Sequence, residues 1–112
     1  MTKVYIIPFH VKPSNNSIMP TNLLGAYVDC YTAGLDYVEA INKSLKKLSD
    51  DGLLYTEILP SVYEMDSNDW EVHVKGNWPE YVSTLLSKIE FEEAIKNDKV
   101  VYGPFISYDQ QA

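Results

Sequence analysis

The chain has 112 residues, 46% of them hydrophobic, with nine lysines, no arginine, 16 Asp and Glu, and a formal net charge of −7. That length fits one domain spanning residues 1–112, able to bury roughly two-thirds of its unfolded surface, and the composition excludes a disordered or collagenous chain. The charge argues against nucleic acid or an anionic membrane as partner, because both require cations to face phosphate.

The first predicted element is a strand over residues 3–11, rich in β-branched and aromatic side chains. Pro8 cannot donate to a ladder, which places this strand at a sheet edge or a bulge. Residues 12–22, with two Pro and three Asn, read as a loop. Residues 24–31 alternate, with Ala26, Val28 and Cys30 on a core face and Tyr27, Asp29 and Tyr31 on the other. After Thr32-Ala33-Gly34, the side chains of Leu35, Val38, Ile41, Leu45 and Leu48 form one helical stripe. Asp36 and Glu39 near its start, and Lys43, Lys46 and Lys47 near its end, suit the helix dipole. Gly52 is the expected stop. Alternation resumes over 54–65 and is broken by Pro60, again an edge or bulge signal. Trp70, Val72 and Val74 alternate with Asp69, Glu71, His73 and Lys75, which predicts a short strand with one wet face. Asn77-Trp78-Pro79-Glu80 opens a second helix with Pro near its first position. Its stripe is Val82, Leu85, Leu86 and Ile89, and it runs on, straight or kinked, through Phe91, Ala94 and Ile95 to Asn97. Residues 99–108 form the last strand, with a bulge expected at Gly103-Pro104.

From residue 24 the order is strand, helix, strand, strand, helix, strand. The expected class is therefore α+β, a ferredoxin-like βαββαβ sandwich with both helices on one face of an antiparallel sheet. An extra N-terminal strand precedes it.

Seven of the 16 carboxylates (Asp50, Asp51, Glu57, Glu64, Asp66, Asp69 and Glu71) fall between residues 48 and 72, where no basic side chain occurs. A field confined in this way would steer a cationic partner. The uncovered sheet face is expected to show Tyr27, Asp29, Tyr31, Tyr55 and Glu57, joined by Tyr102 and Tyr108. Tyr suits a binding surface because it offers a large rigid contact and a wet hydroxyl. Cross-strand packing accounts for such rings equally well.

Three chemical readings fit the residues poorly. Tyr102-Gly103-Pro104-Phe105 has the look of an aromatic RNA-stacking motif, but it lacks the leading cation, carries a Pro, and belongs to an arginine-free acidic chain. Asp69, Glu71 and His73 would share a strand face and suit a divalent ion, but the spacing matches no strong ligand pattern, and neither metal nor cofactor is expected. His10 and His73 are candidate general bases, yet Cys30, the single cysteine, falls on the core face as a small hydrophobe. That lone cysteine, with no signal peptide or membrane span discernible, points to the cytoplasm.

The expected function is thus a non-catalytic acidic binding protein that engages a basic protein as monomer or homodimer. In size, charge and lack of catalytic motifs the chain is similar to the small acidic immunity proteins that neutralise basic nuclease toxins. It is similar also to small phage-encoded inhibitors that present carboxylates in place of DNA phosphates. On this reading Glu57, Glu64, Asp66, Asp69 and Glu71 pair with the partner's cations, and Trp70 or Tyr63 is buried centrally. The alternative is a dimeric α+β barrel, an enzyme or sensor whose tyrosine-lined sheet faces enclose a pocket.

Overall fold

A computed structural model describes residues 2–20 and 22–109. In chain order its elements are β1 (Lys3–Pro13), β2 (Leu23–Thr32), α1 (Tyr37–Asp50), β3 (Leu53–Ile58), β4 (Tyr63–Asp66), α2 (Trp70–Asn77), α3 (Lys88–Lys96), β5 (Val101–Tyr102) and β6 (Ile106–Asp109). Two 3-10 segments, Ser67–Asp69 and Pro79–Thr84, lead into and out of α2. The protein is α+β, with six strands in one open antiparallel sheet of order β3-β1-β2-β5; β4 also pairs with β1 and β6 with β2. Among the described residues no helix is long and apolar enough to cross a membrane.

This order differs from the expected one because β1 takes a central place. Val4, Tyr5, Ile6, Ile7, Phe9 and Val11 are all buried, so the strand is apolar on both faces and needs cover on both. Pro8 was expected to mark an edge, yet it is tolerated here in the interior. Its carbonyl accepts from Leu59 N at 2.9 Å, just where the neighbouring edge is interrupted between β3 and β4. A strand residue's N and C=O point to the same side, so the absent N–H faces that gap and no ladder bond is lost. Pro60 lies in the same gap.

The two faces of the sheet carry separate cores. On the first, Tyr5, Ile7, Phe9 and Val11 of β1 and Ala26, Val28 and Cys30 of β2 pack against α1. Asp36 caps that helix by accepting from Glu39 N at 2.9 Å, and Gly52, at φ +73°, turns the chain out of it. The buried ridge is Ala40, Ser44 and Leu48, flanked by Ile41 and Leu45. Leu35 and Val38, expected in the stripe, are instead exposed, because the helix begins only after Asp36 and turns its two small residues inward.

On the second face, Val4, Ile6 and Tyr31 pack under α2 and α3. Both helices were expected on one face, and residues 70–75 as a strand; the structure reverses both expectations. Trp70 and Val74, four apart, are buried together, while Val72 between them is exposed, as in a helix. The Trp70 ring stacks on Phe91 with centroids 4.0 Å apart, meets Tyr31 edge-on at 5.0 Å, and donates its indole N–H to Leu86 O at 2.8 Å. The second helix is also not continuous. The 3-10 segment ends at Thr84, and α3 starts afresh from a capping box in which Ser87 and Glu90 bond each other's backbone N–H.

The helical assignment of residues 70–77 has a direct test. Trp70→Ala is expected to cost about 3–5 kcal/mol in denaturant unfolding, whereas Val72→Ala stays within about 0.5 kcal/mol. Comparable losses at both positions would support the strand instead.

Candidate functional site

Because α2 and α3 cover only the Val4–Ile6 and Tyr31 end of the second face, the other half of that face is open. Two adjoining features occupy it.

The first is a tile of rings centred on His10. Its Nδ1 meets Thr56 Oγ1 and its Nε2 meets the Tyr108 hydroxyl, so one imidazole joins β3, β1 and β6. The ring lies parallel to Tyr108 with centroids 5.7 Å apart, and Tyr27 leans against it at 4.8 Å. Gly25 makes this possible. A Cβ there would stand 2.8 Å from the Tyr108 hydroxyl and from Val11 O, so only a bare position lets the ring lie flat on β2. Glu57 is the cross-strand partner of His10.

The second feature is a cleft of about 380 Å3 between the sheet and the end of α2. Its walls are Ile6, Asp29, Tyr63, Glu64 and Met65 from the strands and His73, Asn77 and Trp78 from the helical side. That volume lies in the range of small-ligand and side-chain pockets. Behind it Tyr31 is fully buried, and its hydroxyl accepts from Trp78 Nε1 at 3.3 Å and bonds His73 Nε2 at 2.8 Å. Asn77 Nδ2 donates to His73 O at 2.9 Å and lies 3.3 Å from His73 Nδ1. An amide N–H held there leaves Nδ1 as acceptor and assigns the imidazole proton to Nε2, which donates to Tyr31. Burial lowers the His73 pKa from its ordinary 6.5, which also favours the neutral ring.

Asp29 is the anomalous group. Burial raises its pKa above the ordinary 3.8, yet among the described residues its carboxylate has neither a hydrogen bond nor an ion pair. It lies two residues from Tyr27 on β2, about 7 Å along the strand, so cleft and tile form one continuous surface. A partly desolvated carboxylate in a cleft, its charged form disfavoured by burial, marks a candidate site for a cation. A larger hollow of about 590 Å3 lies between α3 and β5, but both perturbed acids in its lining already have partners: the Tyr102 hydroxyl donates to Asp51 Oδ2 at 2.6 Å, and Glu90 accepts from Ser87 N at 2.9 Å.

Of the candidate residues from the sequence, His10, Tyr27, Asp29, Glu57, Tyr63, His73 and Tyr108 share or border this surface. Glu64 lines the cleft's rim, but it pairs with Tyr5, so its side chain lies on the α1 side. The rest do not border it. Tyr31 and Trp70 are core residues beneath α2, not exposed contacts, because the helices settle on the face expected to be free. Tyr55 is exposed but lies edge-on to Phe9 on the α1 side: the pairing steps from His10–Glu57 to Val11–Tyr55, and the extra residue, Thr56, inverts the alternation. Tyr102 likewise belongs to the α1 side, whereas Tyr108 joins the tile. Asp69, Glu71 and His73 do not share a face, being spaced by two on a helix rather than a strand. Among the described residues no His, Cys, Asp and Glu cluster could hold a metal ion. Cys30 is buried and burial pushes its thiol pKa far up, which removes it as a nucleophile.

Nor do the seven carboxylates make a single patch. Asp50 pairs with Lys46 at 3.0 Å, Asp51 with Lys47 at 3.1 Å, Glu64 with Lys3 at 3.5 Å and Glu71 with Lys75 at 3.7 Å. Asp66 caps the turn that follows it by accepting from Asn68 N at 2.9 Å. Of these seven, only Glu57 and Asp69 have no such partner among the described residues. Compared with protein-family models, curated proteins and solved structures, the chain matches none.

The state of Asp29 generates a stability test. Its folded pKa is raised, so above that pKa the charged form costs stability, and the cost disappears as pH falls through it. Asp29→Asn is therefore expected to raise the melting temperature at pH 7, with the gap to wild type closing as pH drops toward the carboxylate range. A variant less stable than wild type at pH 7 would show that Asp29 already has a stabilising partner.

Proposed function

We propose that this chain is a binding protein without catalysis of its own, which engages a basic protein partner through the open half of the second sheet face. The observation that carries this reading is Asp29, a half-buried carboxylate with no cation beside it among the described residues, on the same face as Tyr27, Tyr63 and Glu57. Retaining an uncompensated charge lowers stability, and a partner's cation would remove that cost. Tyr27 at 43% and Tyr63 at 61% exposure offer rigid amphipathic rings of the kind that dominate protein interfaces. Such a protein fits an inhibitor or immunity role toward a toxin or nuclease in the cytoplasm, where Cys30 stays reduced. A barrel-forming dimer is less well supported, since α2 and α3 occupy half of the face that a second sheet would have to meet.

The dispersal of the acidic segment changes what the charge would do. Paired surface carboxylates contribute little locally, but a net −7 still raises the encounter rate with a basic partner. Affinity would then reside in the open face, and salt would act chiefly on association.

The test is retention of a basic partner captured from native lysate at low salt. Tyr27→Ala and Asp29→Asn are each expected to weaken it by about 30-fold or more, as for truncated interface anchors. Glu71→Gln, on α2 and already paired with Lys75, should change it less than about threefold. Equal losses at all three positions would return the binding site to the acidic segment, and no loss at any would remove this face from consideration.

A further inference from the structure

We infer that the Asp29 cleft is a receptor for a single arginine side chain of the partner, its guanidinium meeting the Asp29 carboxylate beside the Tyr63 and Trp78 rings. This rests on the binding function proposed above and specifies which chemical group the site takes.

Four features of the cleft select that group. Its lining includes the apolar side chains of Ile6 and Met65, which suit the methylene stem of a long cationic side chain. Tyr63 and Trp78 are also among its walls, and guanidinium stacks on aromatic faces better than ammonium. The two oxygens of the Asp29 carboxylate can accept the planar fork of N–H donors, which a point-like ammonium uses less well. The fourth feature is the partial burial of Asp29. A strongly hydrated lysine ammonium must shed more water than a guanidinium to reach it.

The remaining polar groups of the cleft reinforce the selection. Burial lowers the His73 pKa and so disfavours a positive charge that would repel the entering cation. The chain contains no arginine of its own, and none of its lysines lines this cleft. Lys3 bonds Glu64, whose side chain lies with Tyr5 on the α1 side of the sheet, away from Asp29. Among the described residues no cation of the chain fills the site.

The probe is Nα-acetyl-arginine amide, titrated into the intact chain while the NMR signals of the Trp78 indole N–H and the Asn77 side-chain amide are followed. Both signals are expected to shift with saturation. The isosteric, neutral citrulline amide should bind at least about tenfold more weakly, as should arginine amide with Asp29→Asn. Lysine amide should fall between. Equal binding of citrulline and arginine amides, or shifts unaffected by Asp29→Asn, would overturn the inference. A basic, arginine-free peptide separates it from the reading on which it rests. Shifts at Tyr27, Glu57 and Tyr108 with this peptide, but none at Trp78 with arginine amide, would refute the arginine pocket and leave the docking face standing. No response to either probe would count against both.

Discussion

The packing of Trp70 between Tyr31 and Phe91 is the interaction on which the rest of this molecule depends. It fixes α2 and α3 to one end of the second sheet face, and by doing so decides which half of that face remains open. The stack is dense and polar-satisfied at its edges, with the Trp70 indole bonded to Leu86 and the Tyr31 hydroxyl bonded to Trp78 and His73. Aromatic groups packed edge-to-face and face-to-face in this way bury large areas and resist rearrangement. The cleft wall formed by His73, Asn77 and Trp78 is the outer side of that same packing unit. Rigidity in the core thus passes directly to the site, as a preorganised binding surface requires.

Charge in this protein has two distinct uses. Most of the acidic segment is spent on the fold: Asp66 caps a turn, Asp51 links the end of α1 to Tyr102 and Lys47, and three further carboxylates pair with exposed lysines. Asp29 lies outside that segment in sequence and makes none of these bonds. A single partly buried charge with no partner among the described residues is a stronger indication of binding than seven surface charges, because burial disfavours it. On the proposed reading the long-range field and the local site are therefore separate, one affecting encounter and the other retention.

Much of the fold was legible in the sequence. The alternation of Ala26, Val28 and Cys30 with Tyr27, Asp29 and Tyr31 located β2 and its core face, and Pro60 and Gly103-Pro104 marked real interruptions of the sheet edges. Residues 70–75 were misread because Trp70, Val72 and Val74 satisfy a period of two, while Trp70 and Val74 alone satisfy the helical period. The tie is broken by Phe91 and Tyr31, which are distant in sequence. The capping box at Ser87 and Glu90 was a local signal for a new helix start, and the longer apolar stripe obscured it. Lys46–Asp50, Lys47–Asp51 and Glu71–Lys75 are all spaced by four, so their pairing could have been read on a helix. The inversion at Thr56 has no local mark, since neither Gly nor Pro stands there. The cleft itself joins residues from β1, β2, β4 and α2, and such convergence exists only after folding.

The most direct measurement of the central claim is hydrogen–deuterium exchange of the chain with and without the basic protein partner proposed for it. Protection should appear in β2 around Tyr27 and Asp29, in β4 around Tyr63, and at the end of α2 near Asn77 and Trp78. Protection confined to α1, or to the acidic residues at 50–51 and 66–71, would contradict the account and place the interface elsewhere.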